Sequence, residues 1–104
     1  MKIIKCVSEK IEEELHDADA YIDLAMNWKK EQPETANVFY ELSLEEMSHV
    51  NKLHDEVARL ISEYRQENGE PPKGMQVLYE WLHEKHIANA MQIKVKQGMF
   101  KSDD

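Results

Sequence analysis

The longest stretch without a helix breaker decides the fold of this chain: residues 35–68, TANVFYELSLEEMSHVNKLHDEVARLISEYRQEN. It contains neither glycine nor proline and is rich in Glu and Leu, which have high helix propensity. Pro33 and Thr35 are typical of a helix start, and Gly69 is typical of a helix end. The sequence therefore predicts one long helix over 35–68.

The remaining glycines and prolines divide the rest of the chain. They cluster directly after that helix, and one more lies near the end: Gly69, Pro71, Pro72, Gly74 and Gly98. This spacing predicts two further helices, over 5–31 and 74–97, and a frayed tail over 101–104. Because both connections are short, consecutive helices should be antiparallel neighbours. We expect a single all-α domain over 1–104, and the scarcity of turn residues excludes an all-β or repeat architecture.

Composition narrows the possible partners and the compartment. Asp and Glu number 21 against 13 Lys and Arg, which gives a net charge of -8 and argues against nucleic acid or an anionic membrane surface as partner. No apolar run approaches the roughly 20 residues needed to span a bilayer. The single cysteine, Cys6, cannot form an intramolecular disulfide or a thiolate zinc site. We expect a location in the cytoplasm, or in a protein compartment assembled within it.

Titratable residues interrupt the apolar faces of the first two helices. Steps of three and four predict one buried face on each helix. In the first helix it runs Ile4, Val7, Ile11, Glu14, Ala18, Tyr21, Ala25, Trp28. In the second it runs Phe39, Leu42, Glu46, His49, Leu53, Val57, Leu60, Tyr64. A buried carboxylate costs several kcal/mol unless it has a partner, so Glu14 and Glu46 each require one.

These polar residues should lie at one level of the helical hairpin. Glu14 lies 19 residues before Pro33, and Glu46 and His49 lie 13 and 16 residues after it. At about 1.5 Å per residue, they are about 28, 20 and 24 Å from the turn. Two carboxylates and an imidazole together favour a site for iron, manganese or zinc. A hydrogen-bonded polar layer that fixes helix register is the alternative interpretation.

The third helix offers weaker candidates. Its predicted apolar face runs Val77, Trp81, Ala88, Met91, Val95, with Glu84 on the same face. Helix geometry places Glu84 about 15 Å along the axis from the level of Glu46. We therefore treat Glu84 as a weak candidate for a second site and interpret His83 and His86 as facing solvent. Glu56, two turns beyond His49, is a weak candidate for a transit ligand.

Two segments carry a resemblance to a known family. Residues 14–21 read ELHDADAY, and residues 45–49 read EEMSH. Over about the first 65 residues the chain resembles the ferritin-like di-iron superfamily of ferritins, bacterioferritins and rubrerythrins. The resemblance implies that Glu46 bridges two metals, Glu14 is a terminal ligand and His49 completes the metal shell. Tyr21 either hydrogen-bonds a ligand carboxylate or fills the core.

The chain departs from that family in supplying half of a site. A complete ferritin-like site takes a Glu from each of two helices and a Glu-x-x-His from each of two others. A second copy related by a two-fold axis would supply the missing half, so we expect at least a homodimer. This arrangement resembles the small encapsulated-ferritin type, whose partner is a shell protein, although the tail shows no recognisable cargo signal. The activity implied is ferroxidase or peroxide detoxification at a di-iron site.

Two questions stay open on the sequence. One is whether the chain is an enzyme at all, because a non-enzymatic helical interaction module would use the same residues as a buried polar layer. The other is the role of an acidic patch on the first helix, which could attract Fe²⁺ or could simply be a solvated face. That patch comprises Glu12, Glu13, Asp17 and Asp19.

Overall fold

The computed structural model describes residues 2–102. All of the regular secondary structure in that range is α-helix. The helices are α1 (Lys2–Trp28), α2 (Pro33–Asn68) and α3 (Lys73–Ser102). They confirm the all-α prediction. The molecule measures 55 × 17 × 17 Å, so its long axis is close to the length of α2 alone. None of the helices within 2–102 has both the length and the apolar character needed to cross a membrane.

Local chemistry explains where α2 begins and ends. Pro33 occupies the first turn, where its missing N–H has no helical partner to lose. Gly69 ends the helix with φ at +76°, and its N–H donates to the Arg65 carbonyl at 3.0 Å. A residue with a Cβ would be strained at that φ, so the predicted role of Gly69 as helix terminator is confirmed.

The prediction that α3 ends at residue 97 is wrong, because the helix continues through Gly98 to Ser102. A helical glycine costs about 1 kcal/mol relative to alanine. Phe100 offsets that cost, because it is buried and its ring stacks on Tyr40 with centroids 4.9 Å apart. Lys101 and Ser102, which we expected to fray, are helical, and the last two residues of that tail lie outside the described range.

The three helices pack as consecutive antiparallel neighbours, as the short loops predict. Ser43 of α2 donates a hydrogen bond to the Ala18 carbonyl of α1 at 2.7 Å and accepts one from Gln97 of α3 at 2.9 Å. The main core cluster lies between the hairpin and α3. It contains Ile11, Leu15, Ala18, Met47, Val50 and Ile93.

The core-facing side of α1 differs from the face that the sequence predicted. The buried residues are Ile4, Ser8, Ile11, Leu15, Ala18, Ile22 and Ala25. Val7, Glu14 and Tyr21 are only half-buried, and Trp28 is 43% exposed. The reason is that α3 covers the Leu15 side of the hairpin, so Glu14 and Tyr21 lie at the margin of a face that α3 leaves open.

The predicted apolar face of α3 is also wrong. Val77, Trp81, Met91 and Val95 are 57–62% exposed and form an apolar stripe on the outer surface. The residues buried against the hairpin are His86, Ile93, Gln97 and Phe100. His86 is therefore buried, contrary to the prediction that it faces solvent, whereas His83 is exposed.

Candidate metal centre

Glu14, Glu46 and His49 converge at one point on the hairpin. One ligand atom from each lies within 4.8 Å of the other two. His49 Nδ1 is 3.8 Å from Glu14 Oε1 and 3.7 Å from Glu46 Oε2. These separations exceed a hydrogen bond. They match the spacing of about 3–4 Å between ligand atoms that each lie 2.0–2.2 Å from a shared ion.

The packing of α1 against α2 brings the three side chains together. The Ser43–Ala18 hydrogen bond fixes the relative level of the two helices. Glu46 lies three residues after Ser43, and Glu14 lies four residues before Ala18, so antiparallel helices place them side by side. Glu46 and His49 are three residues apart and project from one face of α2. The three side chains therefore meet at the position along the hairpin that was predicted by counting residues from the turn at Pro33.

Burial distinguishes the three side chains. The Glu46 side chain is 18% exposed, that of Glu14 is 26% exposed and that of His49 is 56% exposed. Within the described residues, Glu46 Oε2 is buried and accepts no hydrogen bond. A buried acceptor without a partner costs about 1–3 kcal/mol, and more when it is charged. A cation at this point would satisfy the oxygen, so the donor set fits a metal ion.

The hydrogen-bonded polar layer fits this geometry less well. A register-fixing layer requires its members to satisfy one another. Here the imidazole lies more than 3.5 Å from both carboxylates, and the Glu46 oxygen that it approaches has no hydrogen-bond donor in the part of the chain that the structure describes. The two carboxylates also lie close together, which is unfavourable unless a positive charge lies between them.

The weaker candidates lie apart from this triad. Glu84 is exposed on α3 and one residue beyond His83, which pairs with His54. That pairing puts Glu84 about two turns, or roughly 10 Å, along the axis from Glu46. Glu56 accepts a hydrogen bond from Arg59 Nε at 2.7 Å, so its carboxylate already has a cationic partner.

Tyr21 is half-buried two turns from Glu14, and its ring stacks on Phe39 with centroids 6.3 Å apart. This contact holds the ring against α2 on the same open side of the hairpin as the triad. The stacking explains why the apolar ring of Tyr21 is partly buried. The predicted hydrogen bond to a ligand carboxylate stays a prediction.

Most of the acidic patch on α1 is neutralised by neighbouring cations. Glu13 pairs with Lys10 at 2.9 Å, Asp19 with Lys96 at 2.8 Å, and Glu12 approaches Lys85 at 3.7 Å. Lys96 also pairs with Asp23, and these two carboxylates raise its pKa. The pairs of Asp19, Asp23 and Glu12 tie α1 to α3, which favours a structural role for this patch over attraction of Fe²⁺.

Comparison with protein-family models, with curated proteins and with solved structures gives no match. The geometry of Glu14, Glu46 and His49 is therefore the feature of this chain that points to a function.

Proposed function

We propose that this chain is a ferritin-like protein that binds iron through Glu14, Glu46 and His49, with a di-iron carboxylate site formed between two copies. The observation that carries the proposal is the buried oxygen of Glu46, which has no hydrogen-bond partner among residues 2–102 and belongs to a group of three potential ligands. Carboxylates and imidazole suit iron, and they accept manganese or zinc as well.

The second copy follows from the incompleteness of the ligand set. Three side chains do not saturate an ion, and α3 packs on the opposite side of the hairpin. The open side carries half-buried apolar residues at helical spacing from the ligands: Val7 and Tyr21 lie two turns from Glu14, and Leu42 lies one turn from Glu46. A two-fold axis through this face would bury those residues and bring together four carboxylates and two imidazoles.

Each ligand has a distinct role in this arrangement. Glu46 is the most buried of the three, so it would lie nearest the axis and bridge two ions. Glu14 would be a terminal ligand, and the exposed His49, when neutral, would complete each shell. Two ferrous ions held close together supply the electrons that reduce dioxygen or peroxide, so ferroxidase or peroxide-detoxifying activity is the implied chemistry.

An anaerobic Fe²⁺ titration of metal-free protein, followed by admission of oxygen, tests the proposal. We expect one iron per chain and rapid oxidation in the wild type, with both lost in Glu46→Ala. The matched control is Glu45→Ala, which removes the same charge from the exposed neighbouring position and should bind iron normally.

Other stoichiometries contradict parts of the proposal. Two irons per chain, both lost in Glu46→Ala, would mean that one copy completes the site, which excludes the shared arrangement. No binding in wild type would exclude the metal site. The second candidate function, a non-enzymatic helical interaction module, is favoured by the exposed apolar stripe of α3, which includes Trp81 and Met91.

A further inference from the structure

A second group of imidazoles lies between α2 and α3, away from the triad. His54 Nε2 of α2 and His83 Nδ1 of α3 are 3.1 Å apart. Their rings stack with centroids 4.8 Å apart and an interplanar angle of 28°. Both side chains are exposed, so each could instead hydrogen-bond to water. Burial does not force this pairing, and the two nitrogens meet at the surface of the molecule.

The pair borders a largely apolar cavity of about 220 Å³ that is lined by all three helices, with Ser8 and Ile11 contributed by α1. His86 lines the same cavity, one turn along α3 from His83. Its Nε2 is buried, lies 3.5 Å from Glu12 Oε1 and makes no hydrogen bond with any residue in the described range 2–102. We therefore assign His86 to the wall of the cavity, facing α1, and not to the His54–His83 pair.

We propose that His54 and His83 together bind one divalent transition-metal ion of the borderline class, for which Zn²⁺ is the natural probe. Ligand nitrogens lie 2.0–2.1 Å from zinc, so two of them on a tetrahedral ion are about 3.3 Å apart. The 3.1 Å separation of His54 Nε2 and His83 Nδ1 is close to this spacing. Because both rings are exposed, water molecules complete the coordination shell.

The chemistry of this pair differs from that of the carboxylate triad. Both ligands are imidazoles, which suit zinc, copper and nickel. The triad contributes two carboxylates and one imidazole. The two groups also lie on different sides of α2, because Glu46 faces the side that α3 leaves open and His54 faces α3. The proposal is therefore independent of the proposed iron site.

An ion at this position would tether α3 to α2. His54 and His83 belong to different helices and are 29 residues apart in sequence. A ligand that binds only when the two helices are docked stabilises the docked state by RT ln(1 + [L]/Kd), where [L] is its free concentration. The expected consequence is a Zn²⁺-dependent rise in the melting temperature.

Calorimetric titration with Zn²⁺ tests the proposal in a Glu46→Ala, His49→Ala background, which removes ligands of the first site. We expect one zinc per chain in that background and a Zn²⁺-dependent rise in Tm. Adding His54→Ala or His83→Gln should weaken zinc binding by at least about tenfold. Removal of a residue that only hydrogen-bonds a metal ligand already costs about tenfold in affinity, and removal of a ligand itself should cost no less.

The matched control is His16→Ala, which removes another exposed imidazole, one that belongs to α1 and not to either helix of this pair. It should leave both the stoichiometry and the affinity for zinc unchanged. Absence of zinc binding in the double-variant background would overturn the proposal, as would binding that persists in both His54→Ala and His83→Gln. Either result could arise while the iron titration succeeds, so the two proposals fail separately.

Discussion

Ser43 is a residue whose side chain connects all three helices. It is fully buried, donates to the Ala18 carbonyl and accepts from the Gln97 amide. Ser43→Ala leaves that buried amide without its acceptor, so we expect a loss of about 1–3 kcal/mol in the free energy of unfolding. Urea denaturation measures this change in the free energy of unfolding. Ser48→Ala, at an exposed position of the same helix, should change stability by less than about 0.5 kcal/mol; equal midpoints for the two variants would contradict this role.

For individual residues, the sequence predicted which side chains converge but not how deeply they are buried. Glu14, Glu46 and His49 follow from helix periodicity and from counting residues from the turn at Pro33, which are local properties. The burial of His86 depends on the rotation of α3 about its axis. That rotation is set by Ile93 and Phe100, which pack on the hairpin, and the hydropathy pattern favours the opposite face.

At the scale of the element, the docking of α3 should depend on pH through His86. Burial lowers the pKa of His86 below its usual 6.5, Lys85 and His83 lower it further, and Glu12 partly opposes them. The unfolded chain therefore binds a proton at a higher pH than the folded protein does. The stability that His86 contributes is complete above pH 6.5 and is lost as the pH falls through the lowered pKa.

His86→Gln should make the melting temperature less sensitive to pH between about 7.5 and about 5.5, because glutamine does not titrate in this window. Thermal unfolding followed by circular dichroism at several pH values measures the effect. His16→Gln removes a side chain that is 86% exposed, so its pH dependence should match that of the wild type. A pH dependence in His86→Gln as steep as in the wild type would show that another group is responsible.

The helices themselves were the most predictable level of organisation. α2 matches its prediction because Pro33 and Gly69 terminate it through local backbone chemistry. α3 exceeds its prediction because Gly98 is a weak breaker and the buried Phe100 lies beyond it. Local signals therefore located the ends of α2, and tertiary packing outweighed them at the end of α3. The prediction of 5–31 for α1 is wrong by three residues at both ends, since the helix spans Lys2–Trp28 and neither end is marked by a glycine or proline within it.

At the scale of the whole molecule, the proposed shared site makes dimerisation and iron binding one equilibrium. Leu42 is half-buried and shares a face with Glu46, four residues away. Leu42→Asp would place a charge in the proposed dimer face without entering the core between the hairpin and α3. Leu44→Asp is the matched control, because Leu44 is 40% exposed and projects from a different face of α2.

We expect sedimentation to show a wild-type dimer whose fraction rises with Fe²⁺, because an ion held by two copies stabilises their association by mass action. Leu42→Asp should be monomeric at the same concentration, keep its helical circular dichroism and lose iron binding together with dimerisation. Leu44→Asp should behave as the wild type. A monomeric Leu42→Asp that still bound one iron per chain would separate binding from assembly, since Glu14, Glu46 and His49 of one copy would then suffice to hold the ion.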